Sequence, residues 1–150
     1  MRQQLTGLLA VLAAVLMVVT LAAPAQASKA STLQDGIRHR TNAVRAEADL
    51  VKLRKKRCVT RFAVRQARRM ANQDSMFHQD LQKVLEACDL TLAGENVASG
   101  FTTADAVMKA WMNSPDHKAN IMNKGYRLLG VGARKSDSGT WYFAQVFGRA

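Results

Sequence analysis

Apolar positions recur at helical spacing through most of this chain and at every second position near its end. An apolar run extends from Leu8 to Leu21, after which Leu33, Ile37, Thr41 and Val44 fall on one side of a helix. Thr32-x-x-Asp35 has the form of a capping box, so that helix is expected to open near Thr32. Residues 49–57 read as a polar connection. Residues 58–72 form an amphipathic helix with Val59, Phe62, Ala63, Ala67 and Met70 on its buried side. A shorter helix is expected from Ser75 to Ala87, carrying Phe77, Leu81, Val84 and Leu85. Thr103 can cap another that runs to about Asn113, and Ser114-Pro115 is a start signal for one more.

The C-terminal part changes to period two. Leu129, Val131 and Ala133 alternate with Gly130 and Gly132, and Trp141, Phe143, Gln145 and Phe147 alternate with Tyr142, Ala144 and Val146. Asp137-Ser138-Gly139 between them is hairpin chemistry. Both faces of the second strand are apolar, so helices should cover the sheet on both sides. Gln145 is the polar exception in an aromatic row, and its amide needs partners. It is open between a backbone partner and the rim of a polar pocket.

The N-terminus adds a compartment. Arg2, the apolar run and Ala25-Gln26-Ala27 before Ser28 make residues 1–27 a secretory signal peptide, with an uncleaved membrane anchor as the competing reading. No other apolar run approaches spanning length. Removing 27 of 150 residues leaves 123, enough for one domain, 28–150, and too few for two. Export also explains the cysteines: Cys58 and Cys88 are the only two, and an even pair in an oxidising compartment reads as one disulfide, contributing roughly 3–4 kcal/mol through loop closure.

Charge changes the picture further. Arg2 leaves with the leader and no acid does, so a formal charge of +11 becomes +10. Nine of the cations lie between Lys52 and Arg69, a stretch without an acid. At 100° per residue, Arg57, Arg61, Arg65 and Arg68 project within about 80° of one another. This stripe is either a solvated helix face or a surface for a polyanion such as anionic wall polymer or lipid head groups. Nucleic acid is disfavoured, because no aromatic residues interleave with the arginines.

The densest candidate chemistry lies in residues 94–122. Glu95 stands at a strand or loop edge, His117 on the first turn of a later helix, and His78 seventeen positions upstream of Glu95. If the three converge, they form a polar pocket suited to a metal ion or a small anion; otherwise they form a self-satisfied polar cluster.

Taken together, Asn42-x-x-Arg45, His78, Gly94-Glu95-Asn96, Trp111-x-x-Ser114-Pro115-x-His117-x-x-Asn120-Ile121 and Gly130-Val131-Gly132 resemble the CAP superfamily of cysteine-rich secretory proteins, antigen 5 and pathogenesis-related proteins, in its short bacterial form. The resemblance runs from about Thr32 to Phe147. It implies an α+β fold, a three-layer α-β-α sandwich with about three antiparallel strands, the third near Leu90–Ala98. It also implies a central cavity that in some members holds zinc or another divalent cation. Three of that cavity's four groups carry over as His78, Glu95 and His117, and Gln145 would line it if its amide takes the rim rather than a backbone partner. Asn113 and Ser114 occupy the neighbourhood of the second acid.

Two classes of function follow. One is a secreted binding module for an anionic envelope polymer, a lipid or a sterol-like ligand. The other is a metal-dependent extracellular hydrolase with Glu95 as general base. The absence of an H-E-x-x-H motif and of an identifiable nucleophile triad favours the binding module.

Overall fold

The computed structural model describes residues 22–150. The elements, numbered in chain order, are α1 (Ala22–Glu47), β1 (Arg54–Lys55), α2 (Arg57–Gln73), α3 (Leu81–Cys88), β2 (Leu92–Ser99), α4 (Ala104–Asn113), α5 (Pro115–Met122), β3 (Leu128–Lys135) and β4 (Trp141–Arg149). The sheet runs in the order β1-β3-β4-β2. β4 pairs antiparallel with β2 and β3, and β1 pairs parallel with β3. The α+β sandwich therefore has four strands rather than about three. The extra one is β1, a two-residue strand inside the stretch that reads as a polar connection. Its sequence carries no strand pattern; it forms because Arg54 N donates to Arg127 O.

The alternation in β4 decides the layers. Phe143 and Phe147 face a core with Ile37 of α1, Trp111 of α4 and Ile121 of α5. Ala144 and Val146 face the opposite layer, where Val59 and Met70 of α2 and Val84 of α3 lie. Sequence periodicity thus places the helices correctly on both faces.

Gly130 and Gly132 let α2 sit directly on β3. A Cβ at Gly132 would stand 2.1 Å from Ala63 O, and one at Gly130 would stand 2.5 Å from Thr60 N. The helix backbone occupies the space that side chains would take. The disulfide Cys58–Cys88 then ties the start of α2 to the end of α3.

Two local expectations are corrected. Thr32 lies inside α1, where its hydroxyl donates to Ser28 O, so Thr32-x-x-Asp35 caps nothing. The helix expected from Ser75 begins only at Leu81. Asp74 ends α2 in a left-handed conformation, Gln66 Nε2 holds Phe77 O, and Asp80 caps α3 by accepting from Gln82 N at 3.0 Å. The expected start at Ser114-Pro115 does form: Ser114 is the N-cap of α5 with extended backbone angles and Pro115 opens the helix, although the serine hydroxyl makes no capping bond. Thr103 does cap α4, accepting from Ala106 N at 3.1 Å. The 1–27 leader falls mostly outside the described residues, and its expected cleavage point after Ala27 lies within α1.

Gly132→Ala should lower stability by about 1–3 kcal/mol, because a methyl group cannot enter without moving α2 off the sheet. Chemical denaturation monitored by circular dichroism reads this directly, and a change within about 0.5 kcal/mol would show that the approach is not tight.

Candidate functional site

Residues 94–97 lie in edge strand β2, and alternation sends their side chains to opposite layers. Val97 packs with Met70 and Tyr142 on the α2 side, so Glu95 is directed there as well. Asn96 turns the other way, toward α1 and α5. Glu95 is sealed, with its side chain 1% exposed against 60% for His78. Its Oε2 accepts from His78 Nδ1 at 2.8 Å and from Gln79 N at 3.1 Å, and its Oε1 accepts from Gln79 Nε2 at 2.6 Å. Gln79 escaped the sequence reading; only its place beside His78 pointed to it.

Asn96 organises the other side. Its Nδ2 donates to His117 O and to Gln145 Oε1, each at 3.0 Å, and its Oδ1 accepts from Asn120 Nδ2 at 2.9 Å. Gln145, the register partner of Asn96 across β2 and β4, donates through Nε2 to Thr41 Oγ1 at 2.7 Å. The partners of Gln145 are therefore side chains rather than backbone. It is fully buried in a polar network linking α1, β4, β2 and α5. This network anchors the backbone at His117.

The His117 ring lies beside Trp111, with centroids 6.5 Å apart. Trp111 is itself held by donation from Nε1 to Val97 O at 3.1 Å. Burial lowers the pKa of His117 below its usual 6.5, the charge of His78 lowers it further, and Asp116 partly opposes both. Of the two histidines only His78 hydrogen-bonds to the Glu95 carboxylate, and the two are close enough for the charge of His78 to act on His117.

A zinc site needs three or four donors with free lone pairs aimed at one point. Among the described residues, no three His, Cys, Asp or Glu side chains are placed to hold a metal ion together. Both oxygens of Glu95 are already engaged. The residues present do not fit a built metal centre.

The basic stripe has a different geometry. Arg57, Arg61, Arg65 and Arg68 are all exposed and line one open groove of about 570 Å³ with Lys55, Thr60 and Val64. Among the described residues, none of the cations from Lys52 to Arg69 is ion-paired: the acids that pair do so with Arg38, Arg40, His78 and Lys83. Lys55 joins the groove from β1, which the helical periodicity of α2 could not reveal.

Residues 38–147 match the family model for CAP, the cysteine-rich secretory protein family, and the chain belongs to that family. A stretch of 46 residues is 50% identical to the uncharacterised protein YkwD of Bacillus subtilis (strain 168), and one of 59 residues is 34% identical to the uncharacterised membrane protein YlbC of the same organism. These stretches cover 31% and 39% of this chain but only 18% and 16% of those proteins' own lengths. Among solved structures, an extracellular protein with an SCP domain from Bacillus anthracis str. Ames superimposes with a TM-score of 0.76 at 23% identity, over 89% of this chain and 45% of that one. An outer surface protein of Borrelia burgdorferi superimposes with a TM-score of 0.69 at 22% identity, over 75% and 89% of the two chains. At these identities the structural likeness establishes the fold.

Asn96→Ala should cost about 2–4 kcal/mol, because it leaves the Gln145 amide oxygen and the His117 carbonyl without their donor; urea denaturation measures the loss. His117 supplies a pH dependence. Its folded pKa lies below its unfolded one, so the unfolded state binds the proton first as pH falls through about 6.5. Stability should therefore decline from that pH downward until the lower folded pKa is passed. His117→Asn should flatten the decline in melting curves recorded across this window, and an unchanged slope would dismiss the effect.

Proposed function

We propose that this protein is an exported binding module held on anionic envelope material by the outer face of α2. The observation that carries this reading is the groove on that face: four arginines one helical turn apart and Lys55 line it, and none of them has an acidic partner among the described residues. Unpaired cations on a rigid helix favour association with a polyanion and give it a strong dependence on salt. Export rests on the leader expected at residues 1–27 and on a family of secretory proteins.

The hydrolase reading has less support. A general base needs a lone pair directed at the attacking water. The Glu95 carboxylate is buried and shared among two Gln79 donors and His78. A lipid or sterol-like ligand calls for an enclosed apolar pocket, whereas the α2 groove is open and ringed by cations.

Protein recovered from the producing cell's exterior should begin at Ser28. In sedimentation with envelope fractions at low salt it should pellet, and rising salt should release it. Changing Arg57, Arg61, Arg65 and Arg68 together to Gln should leave the protein in the supernatant. Equal pelleting of that variant would reduce the stripe to a solvated face.

A further inference from the structure

Resting on that reading, we infer that the α2 groove is built for a linear phosphodiester polymer, with one phosphate seated on each arginine. The arginines at 57, 61, 65 and 68 follow one another at about one helical turn, ~4.5–6 Å, along the axis. A chain whose phosphates are bridged by three-carbon polyol units repeats every six covalent bonds of about 1.5 Å, which at full extension places successive phosphates ~7 Å apart. Flexible arginine stems bridge the remaining difference.

The side chains are guanidinium forks rather than ammonium groups in four of the five cations, and a fork meets the two non-bridging oxygens of a phosphodiester with paired hydrogen bonds. Thr60 and Val64 lie between the cations. They offer a hydroxyl and an apolar surface to the polyol carbons that separate the charges. No carboxylate interrupts the stretch from Lys52 to Arg69.

Two other polyanions fit this face less well. A bilayer-binding helix places large apolar or aromatic residues among its cations for insertion. Here Val64 is the apolar lining residue and is half-buried, and the exposed large hydrophobics, Val51 and Met76, lie outside the groove. A single-stranded nucleic acid shares the phosphodiester spacing but draws much of its affinity from bases stacked on aromatic rings. None of the residues lining the groove is aromatic.

The test is titration of the disulfide-intact protein with purified glycerol-phosphate polymer, between about 50 and 200 mM salt. Tight binding is expected at low salt, with log affinity falling against log salt at a slope of about −3, the value for four phosphate contacts on a flexible chain. The variant with all four arginines changed to Gln should bind at least about 100-fold more weakly and lose most of that slope. A charge-matched control, with Lys83, Lys109, Lys118 and Lys124 changed to Gln, should keep both. Because that control removes the same charge from exposed sites elsewhere, it separates the groove from net charge. A further variant with Arg57, Arg61, Arg65 and Arg68 changed to Lys should keep the slope but bind about tenfold more weakly, having lost the forks.

Poly-L-glutamate or phosphatidylglycerol vesicles binding as tightly as the polymer would overturn this inference and leave the anionic-envelope reading standing. An oligonucleotide binding more than about tenfold tighter would overturn it in favour of nucleic acid. Failure of all four probes to bind would overturn both this inference and the reading beneath it.

Discussion

Strand β4 has no solvent face: every residue from Trp141 to Gly148 is buried. Such a strand persists only if strands flank it on both edges and helices cover both sides, and the rest of the molecule supplies these. At its centre is Gln145, whose amide would cost several kcal/mol if buried without partners. Thr41 of α1 and Asn96 of β2 meet that need. Asn96 in turn accepts from Asn120 and donates to His117 O, so the same amide that satisfies the core also positions α5. One buried polar group thereby fixes how three of the surrounding elements approach the sheet.

That arrangement determines where chemistry is available. Glu95 and Asn96 are neighbours in sequence but face opposite layers, so the polar residues around β2 are divided between a sealed carboxylate bonded to an exposed imidazole and a structural amide network. Conversely, α2 commits its small residues to the sheet, where Ala63 rests against Gly132, and leaves its arginines pointing outward. Among the described residues no acid pairs with them; Asp105, for one, pairs with Arg40 between α1 and α4.

Features governed by local periodicity were legible from the residues. The burial of Val59, Ala63, Ala67 and Met70, the two faces of β4, the Thr103 cap and the outward arginine stripe follow from side-chain spacing, which backbone geometry imposes wherever the element forms. The disulfide was legible from cysteine count and compartment. Features governed by distant partners were hidden. Nothing in Arg54-Lys55 signals a strand, because its pairing depends on where Arg127 arrives. A helix is expected from Ser75, but residues 75–80 stay irregular, because Gln66 and Glu95 offer their backbone and side chains better partners than a helix would. Asn42 shows the same effect: its amide exchanges two hydrogen bonds with the Leu53 backbone, as a strand neighbour would, and steers the chain into β1.

The sequence by itself determined which face of each long element is buried, which compartment the cysteines suit, the family pattern and the run of unopposed positive charge. Only the tertiary structure decided that Glu95 is sealed rather than open, that Gln145 is an internal tie, and that Lys55 joins four arginines along one groove. The reason is physical. Periodicity is a property of a single segment, whereas hydrogen-bond satisfaction and an open groove depend on which segments meet, and on how closely glycines let them approach.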